Sequence, residues 1–159
     1  MSTTSDHKPN GLRDGAFGRL LELELRRSRR YQYFTSLLMI EANSRLLDRY
    51  GNNHADVLQR IVTLLRRELR ETDLVGLQNE NVVTILLPYS DKNSTRNVAS
   101  RLTAWLAAFM GGSDVEAQVR VGGASFPSHA SDLEGLCQQA GEMLQRASFH
   151  ADEAIQILE

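Results

Sequence analysis

Two short apolar runs, Leu74–Leu77 and Val82–Leu87, are separated only by Gln78-Asn79-Glu80-Asn81. Asparagine tolerates left-handed backbone, so the intervening residues read as the turn of a β-hairpin. A hairpin imposes an antiparallel pair, which excludes a purely parallel sheet. The second run is apolar at nearly every position, as a strand covered on both faces requires, and Pro88 ends it. The rest of the chain must then supply apolar cover on two sides.

Helical periodicity supplies that cover. Ala16–Arg29 carries Phe17, Leu20, Leu21 and Leu25 on one stripe, and His54–Leu69 carries Val57, Leu58, Ile61, Leu64, Leu65 and Leu69. The first helix ends in Arg26, Arg27, Arg29 and Arg30, where the helix dipole favours cations. These arginines read as a solvated helix end, with an acidic partner as the alternative. Phe34–Ile40 is strand-like, and a short helix from Asn43 to Tyr50 closes at Gly51-Asn52-Asn53. Asp91 or Ser90 can cap a helix running to Met110, where Gly111-Gly112 stops it. Its apolar stripe is Val98, Leu102, Trp105 and Phe109, so Trp105 reads as core. Ala117–Ala124 alternates Val119 and Val121 with polar residues, and Ser131-Asp132-Leu133-Glu134 is a capping box for a helix to Ala147. Ala154–Leu158 is a last strand. This order predicts an α/β fold: one domain with a central mixed five-stranded sheet, flanked by helices on both faces.

A chain of 159 residues fits one domain with a core that needs neither disulfides nor metals. Residues 1–10 are polar and read as a flexible N-terminal tail, leaving 11–159 as the domain. A net charge of −2 exerts no general pull on nucleic acid, so anion binding would need a local arginine cluster. Cys137 is alone, which excludes an internal disulfide, and it reads as a buried thiol in a reducing cytoplasm. His7, His54, His129 and His150 lack ligand spacing, so no metal is expected from them. No apolar run approaches the ~20 residues of a membrane span.

Several segments, in order, resemble the GGDEF (diguanylate cyclase) domain. Gly11-Leu12 followed by Phe17 is similar to the family's opening, one residue shorter. Leu37-Leu38-Met39-Ile40-Glu41 resembles its first strand, which ends in a metal-binding acid. Tyr50-Gly51 and Asp56 are similar to its tyrosine-glycine-histidine and glycine-aspartate segment. Asp73-Leu74-Val75 and Val83–Pro88 bracket the hairpin with the family's spacing. The signature that names the family falls on Asn79-Glu80-Asn81-Val82-Val83, and it is degenerate. Its two glycines admit a phosphate to the backbone; Asn79 and Glu80 place side chains there, and Glu80 adds a repelling charge. The acidic pair that holds magnesium is replaced by Asn81 and Val82. Asn43 stands for a second metal acid, Leu47 for the guanine-reading asparagine and Ser148 for a late lysine. Phosphoryl transfer rests on positioning and metal electrostatics, so the resemblance implies a fold without catalysis, catalytic residues or a bound metal. Glu41 and Asp56 remain, expected as a turn acid and a helix cap.

Arg70-Glu71-Thr72-Asp73 stands nine residues before Asn79, in register with the family's Arg-x-x-Asp inhibitory site for cyclic di-GMP. A guanidinium can pair with the O6/N7 edge of guanine, while a carboxylate accepts from guanine N–H groups. Arg101, 22 positions after Asn79, matches an arginine that completes the pocket, and Arg66 and Arg67 could add positive potential for the phosphates. The bland alternative is a surface ion pair worth about 0–1 kcal/mol. The resemblance therefore implies a non-catalytic cyclic di-GMP receptor with no other cofactor. The ligand could be a stacked dimer bridging two domains, with a homodimer or a protein partner in trans carrying the signal. A nucleotide-independent interaction scaffold is the alternative, and a working cyclase ranks last.

Overall fold

The computed structural model describes residues 15–49, 53–77, 82–110, 118–150 and 153–159. Its elements run α1 (Gly15–Tyr31), β1 (Thr35–Ala42), α2 (Ser44–Arg49), α3 (His54–Arg66), β2 (Leu74–Leu77), β3 (Val82–Pro88), α4 (Lys92–Met110), β4 (Val119–Phe126), α5 (Leu133–Arg146) and β5 (Ile155–Ile157). The strands form one sheet in the order β2-β3-β1-β4-β5. β1 pairs antiparallel with both β3 and β4, and β2 pairs antiparallel with β3. Only β4 and β5 are parallel, so the sheet is mixed as expected.

Period-two alternation divides the core. Leu38, Ile40, Val83, Ile85, Leu87, Val119 and Val121 face α2, α3 and α4. Leu37, Met39, Val82, Leu86, Ala124 and Phe126 meet Leu21 and Leu25 of α1 and Leu133, Leu136, Ala140 and Leu144 of α5. Every residue of β3 is buried, which is why that run shows no polar alternation. Trp105 is only partly buried and donates its indole N–H to Leu64 O at 2.9 Å, tying α4 to α3. The Phe109 ring packs against it at a tilt, centroids 4.3 Å apart, yet remains 45% exposed. Cys137 is partly rather than fully buried, against the α1–α5 side.

Some boundaries differ from the sequence reading for local reasons. α3 ends at Arg66, and the chain tightens afterwards through Glu68 N–H to Leu65 O and Arg67 N–H to Leu64 O. β4 lies further along, because it pairs with the full length of β1 from Ala42↔Val119 to Thr35↔Phe126. α5 is capped by Asp132, whose carboxylate accepts from Gly135 N–H at 2.8 Å, so Ser131 is not the cap. Asp91 caps α4, accepting from Ser94 N–H at 2.9 Å. No described helix is long and apolar enough to cross a membrane. The tail, Gly11-Leu12, Tyr50-Gly51, the hairpin turn and Gly111-Gly112 lie outside the described residues.

Candidate functional site

Arg70 and Asp73 close the turn between α3 and β2 on each other. Asp73 N–H donates to Arg70 O at 3.0 Å, while Arg70 N–H donates to Asp73 Oδ2 at 2.8 Å. The Arg70 guanidinium adds Nη2 to Asp73 Oδ1 at 3.1 Å and Nε to Oδ2 at 3.4 Å. Nη2 also reaches the end of β3, donating to Pro88 O at 2.7 Å and approaching Ser90 Oγ at 3.4 Å. The Asp73 side chain is 3% exposed and that of Arg70 55%. Asp73 is thus consumed as a positioning carboxylate, and the group offered to solvent is the guanidinium. The contacts engage Nε and Nη2, and Nη1 takes no part in them.

Arg70 lines a cleft of about 580 Å³ at the sheet edge, between α1 and the α3–β2 turn. Phe17, Leu20, Leu74 and Gly76 give it apolar walls, and Arg66 is the second cation on its rim. Gly76 has a steric role: a Cβ there would come within 2.8 Å of the Phe17 ring. Sequence reading did not find this floor, although a lone glycine inside a short strand is a signal of close approach.

The structure brings together Arg70, Asp73 and Arg66. Arg101 on α4 does not line the cleft and faces Glu68, two residues before Arg70, with Nε–Oε1 at 3.6 Å. Arg67 is the exposed C-cap of α3, outside the cleft lining. The basic end of α1 is exposed, as expected, although two of its arginines also find partners. Arg29 bonds Ser131 O and lies over the Phe126 ring at 5.4 Å, and Arg27 pairs with Glu24 at 3.6 Å.

Glu41 is not a solvated turn acid. It sits opposite Arg120 on β4, and Arg120 Nε donates to Glu41 Oε1 at 2.7 Å. Both side chains are about four-fifths buried, at 18% and 23% exposure. Arg120 also donates Nη1 to Ala147 O at 3.1 Å and lies over the Phe149 ring at 5.1 Å. Asn43 spends its Oδ1 as an acceptor for Leu46 N–H, Leu47 is fully buried, and Ser148 meets Glu153. Asp56 is not the cap of α3: Asn53 is, its Oδ1 accepting from Ala55 N–H at 2.9 Å, and Asp56 sits in the first turn, a favourable place for an acid. These residues do not fit a divalent cation: the surviving strand acid is neutralised by a guanidinium, and its neighbour is a helix cap. Of the signature positions, Val82 and Val83 are buried in β3, while Asn79, Glu80 and Asn81 lie outside the described residues. The role of Arg120 was missed in the sequence; its only signal is a lone cation between two valines of a strand.

The fold recurs in solved structures. The GGDEF domain of YfiN (TpbB) from Pseudomonas aeruginosa matches at 24% identity and TM-score 0.71, over 89% of this chain and 86% of that one. The GGDEF domain of DgcB from Caulobacter crescentus, solved in complex with c-di-GMP, matches at 12% identity and TM-score 0.71, over 89% and 88%. Diguanylate cyclase SiaD from P. aeruginosa, solved with its activator SiaC, matches at 21% identity and TM-score 0.66, over 88% of this chain and 57% of that one. At these identities the likeness speaks for the fold. No curated protein matches. The family described as diguanylate cyclase, GGDEF domain, matches residues 15–152. This chain belongs to the GGDEF domain family.

Proposed function

We propose that this domain is a non-catalytic receptor that reads cyclic di-GMP with Arg70 and passes the signal to a protein partner in trans. The observation that carries it is the fixed, half-exposed Arg70 guanidinium, oriented by a carboxylate that is itself 3% exposed. A guanidinium held flat in advance loses little freedom when it meets the edge of guanine, and lysine could not reproduce that geometry. Asp73 serves by holding Arg70, and Arg66 on the cleft rim offers charge for a phosphate. On this reading Arg101, now against Glu68, and Arg67, the C-cap of α3, serve a second, outer contact, as a stacked ligand dimer between two domains would need. The complexes of DgcB with c-di-GMP and of SiaD with SiaC make a ligand and a partner of these kinds reasonable expectations. Loss of catalysis is supported by Asn81 and Val82 in the signature and by the Glu41–Arg120 pair.

A scaffold without a ligand is the second reading. It is favoured by the bonds from Arg70 to Pro88 O and Ser90 Oγ, which give the arginine a structural reason to exist. Isothermal titration with cyclic di-GMP separates the two. Saturable binding in the native chain, absent in Arg70→Ala and not recovered in Arg70→Lys, with GTP failing to compete, supports the receptor. No heat from the native chain sinks it and leaves the scaffold.

A further inference from the structure

Among the described residues, large apolar side chains left in solvent are few, and four of them share one place. Leu20, Leu23, Tyr31 and Tyr89 are 48%, 53%, 66% and 66% exposed, and all line a single cleft of about 460 Å³. That cleft shares Leu20 and Leu74 with the Arg70 cleft. Its lining includes a ring stack, Tyr33 on Tyr89, with centroids 3.9 Å apart and planes 18° from parallel. Tyr33 is anchored by its hydroxyl to Glu24 of α1; burial and this bond push that hydroxyl well above the usual tyrosine range, so it stays a donor.

Tyr89 holds a costly conformation. Its φ is +61°, in the left-handed region that bulky side chains rarely adopt. The turn is held on both sides: Arg70 Nη2 grips Pro88 O at 2.7 Å, and Ser90 N–H donates to Phe34 O at 3.1 Å. Strain kept at an exposed aromatic ring is a mark of use, since glycine or asparagine would make the same turn at less cost.

We propose that the Tyr89 cleft docks a protein segment bearing an apolar ridge flanked by carboxylates. This rests on the receptor reading and gives it an output surface, physically joined to Arg70 through the Pro88 carbonyl. Charge selects the occupant. Arg27 and its ion-pair partner Glu24 both line the cleft, so the excess positive charge comes from Arg19, Arg26 and Arg30, exposed on the same helix, whereas the whole chain carries −2. A second copy would set these arginines against one another. An anionic bilayer would suit the charge but not the shape, because the leucines line a hollow and membrane-surface helices present an apolar ridge. Tyrosines over a concave apolar floor with an arginine rim suit a protein anchor.

The probe is a fluorescent helical peptide with leucine and phenylalanine on one face and glutamates beside them, titrated by anisotropy against the full chain. Binding weakened about tenfold or more by Leu23→Asp and by Tyr89→Gly supports the cleft, that being the scale of one anchor residue. Tyr89→Gly keeps the fold readable, because glycine accepts the positive φ. No binding, equal binding by the variants, or equal binding of a lysine-flanked peptide overturns it. So does preferential capture by phosphatidylcholine–phosphatidylglycerol vesicles, or a sedimenting dimer abolished by Leu23→Asp. Cyclic di-GMP titrated separately distinguishes the failures. Peptide binding without nucleotide binding sinks the receptor alone, and the reverse sinks the docking surface alone.

Discussion

Arg120 shows how one side chain decides what a neighbouring acid can do. Its Nε–Oε1 distance of 2.7 Å to Glu41 puts a fixed cation on the acid that resembles a metal ligand. Arg120→Met strands a four-fifths-buried carboxylate and is expected to cost roughly 1–3 kcal/mol, less than for a fully buried pair. A double-mutant cycle with Glu41→Gln, read by urea denaturation, measures the coupling; simple additivity would show the pair to be idle. Two glycines give a second contrast. A Cβ on Gly122 would meet Leu144 N at 2.2 Å and Ala140 O at 2.6 Å, which are backbone atoms of α5 and cannot step aside. Gly122→Ala should lose ~3 kcal/mol or more. Gly141, within α5, has nothing within 4 Å of that position, so Gly141→Ala should gain up to about 1 kcal/mol of stability. Equal melting temperatures for the two variants would contradict both assignments.

At the scale of elements, helix ends decide boundaries that periodicity leaves open. Asp132 rather than Ser131 satisfies the first turn of α5, so Asp132→Ala should cost ~1 kcal/mol and Ser131→Ala little. The order of their urea midpoints checks this. At the start of α4, bonds from Ser94, its backbone N–H foremost, hold the Asp91 carboxyl below the ordinary aspartate range. A lowered pKa means that the stability it adds is complete above about pH 4 and is lost as pH falls through the lowered value. The gap in urea midpoint between the native chain and Asp91→Ala should therefore be constant from neutral to mildly acidic pH and close at lower pH. A gap that widens on acidification would reverse the sign. The hairpin and both long amphipathic helices were legible because turn chemistry and apolar spacing are local. The start of β4 was not, because its limits follow from pairing with β1 seventy or more residues away.

For the whole molecule, the receptor and cyclase alternatives differ in what should raise the melting temperature. Cyclic di-GMP at 100 times its Kd should add about 2.7 kcal/mol by mass action. Magnesium or its removal by a chelator should change nothing, since Arg120 supplies the cation at Glu41. A melting temperature that rises with magnesium would restore a metal site and count against the receptor. The α/β class, the mixed sheet with cover on both faces, and the register of Arg70 with Asp73 were determined by the sequence alone. Each depends on residues close together in the chain: apolar periods of two and 3.6, turn-forming asparagines, and a three-residue spacing. Only the tertiary structure turned Asp73 inward, left Arg101 against Glu68 outside the cleft, put Arg120 on Glu41 and set Tyr89 beside Tyr33. Apart from Asp73, which closes on Arg70 three residues away, those outcomes are contacts between distant segments, chosen by strand register and by which helix covers which face, and no local pattern encodes them.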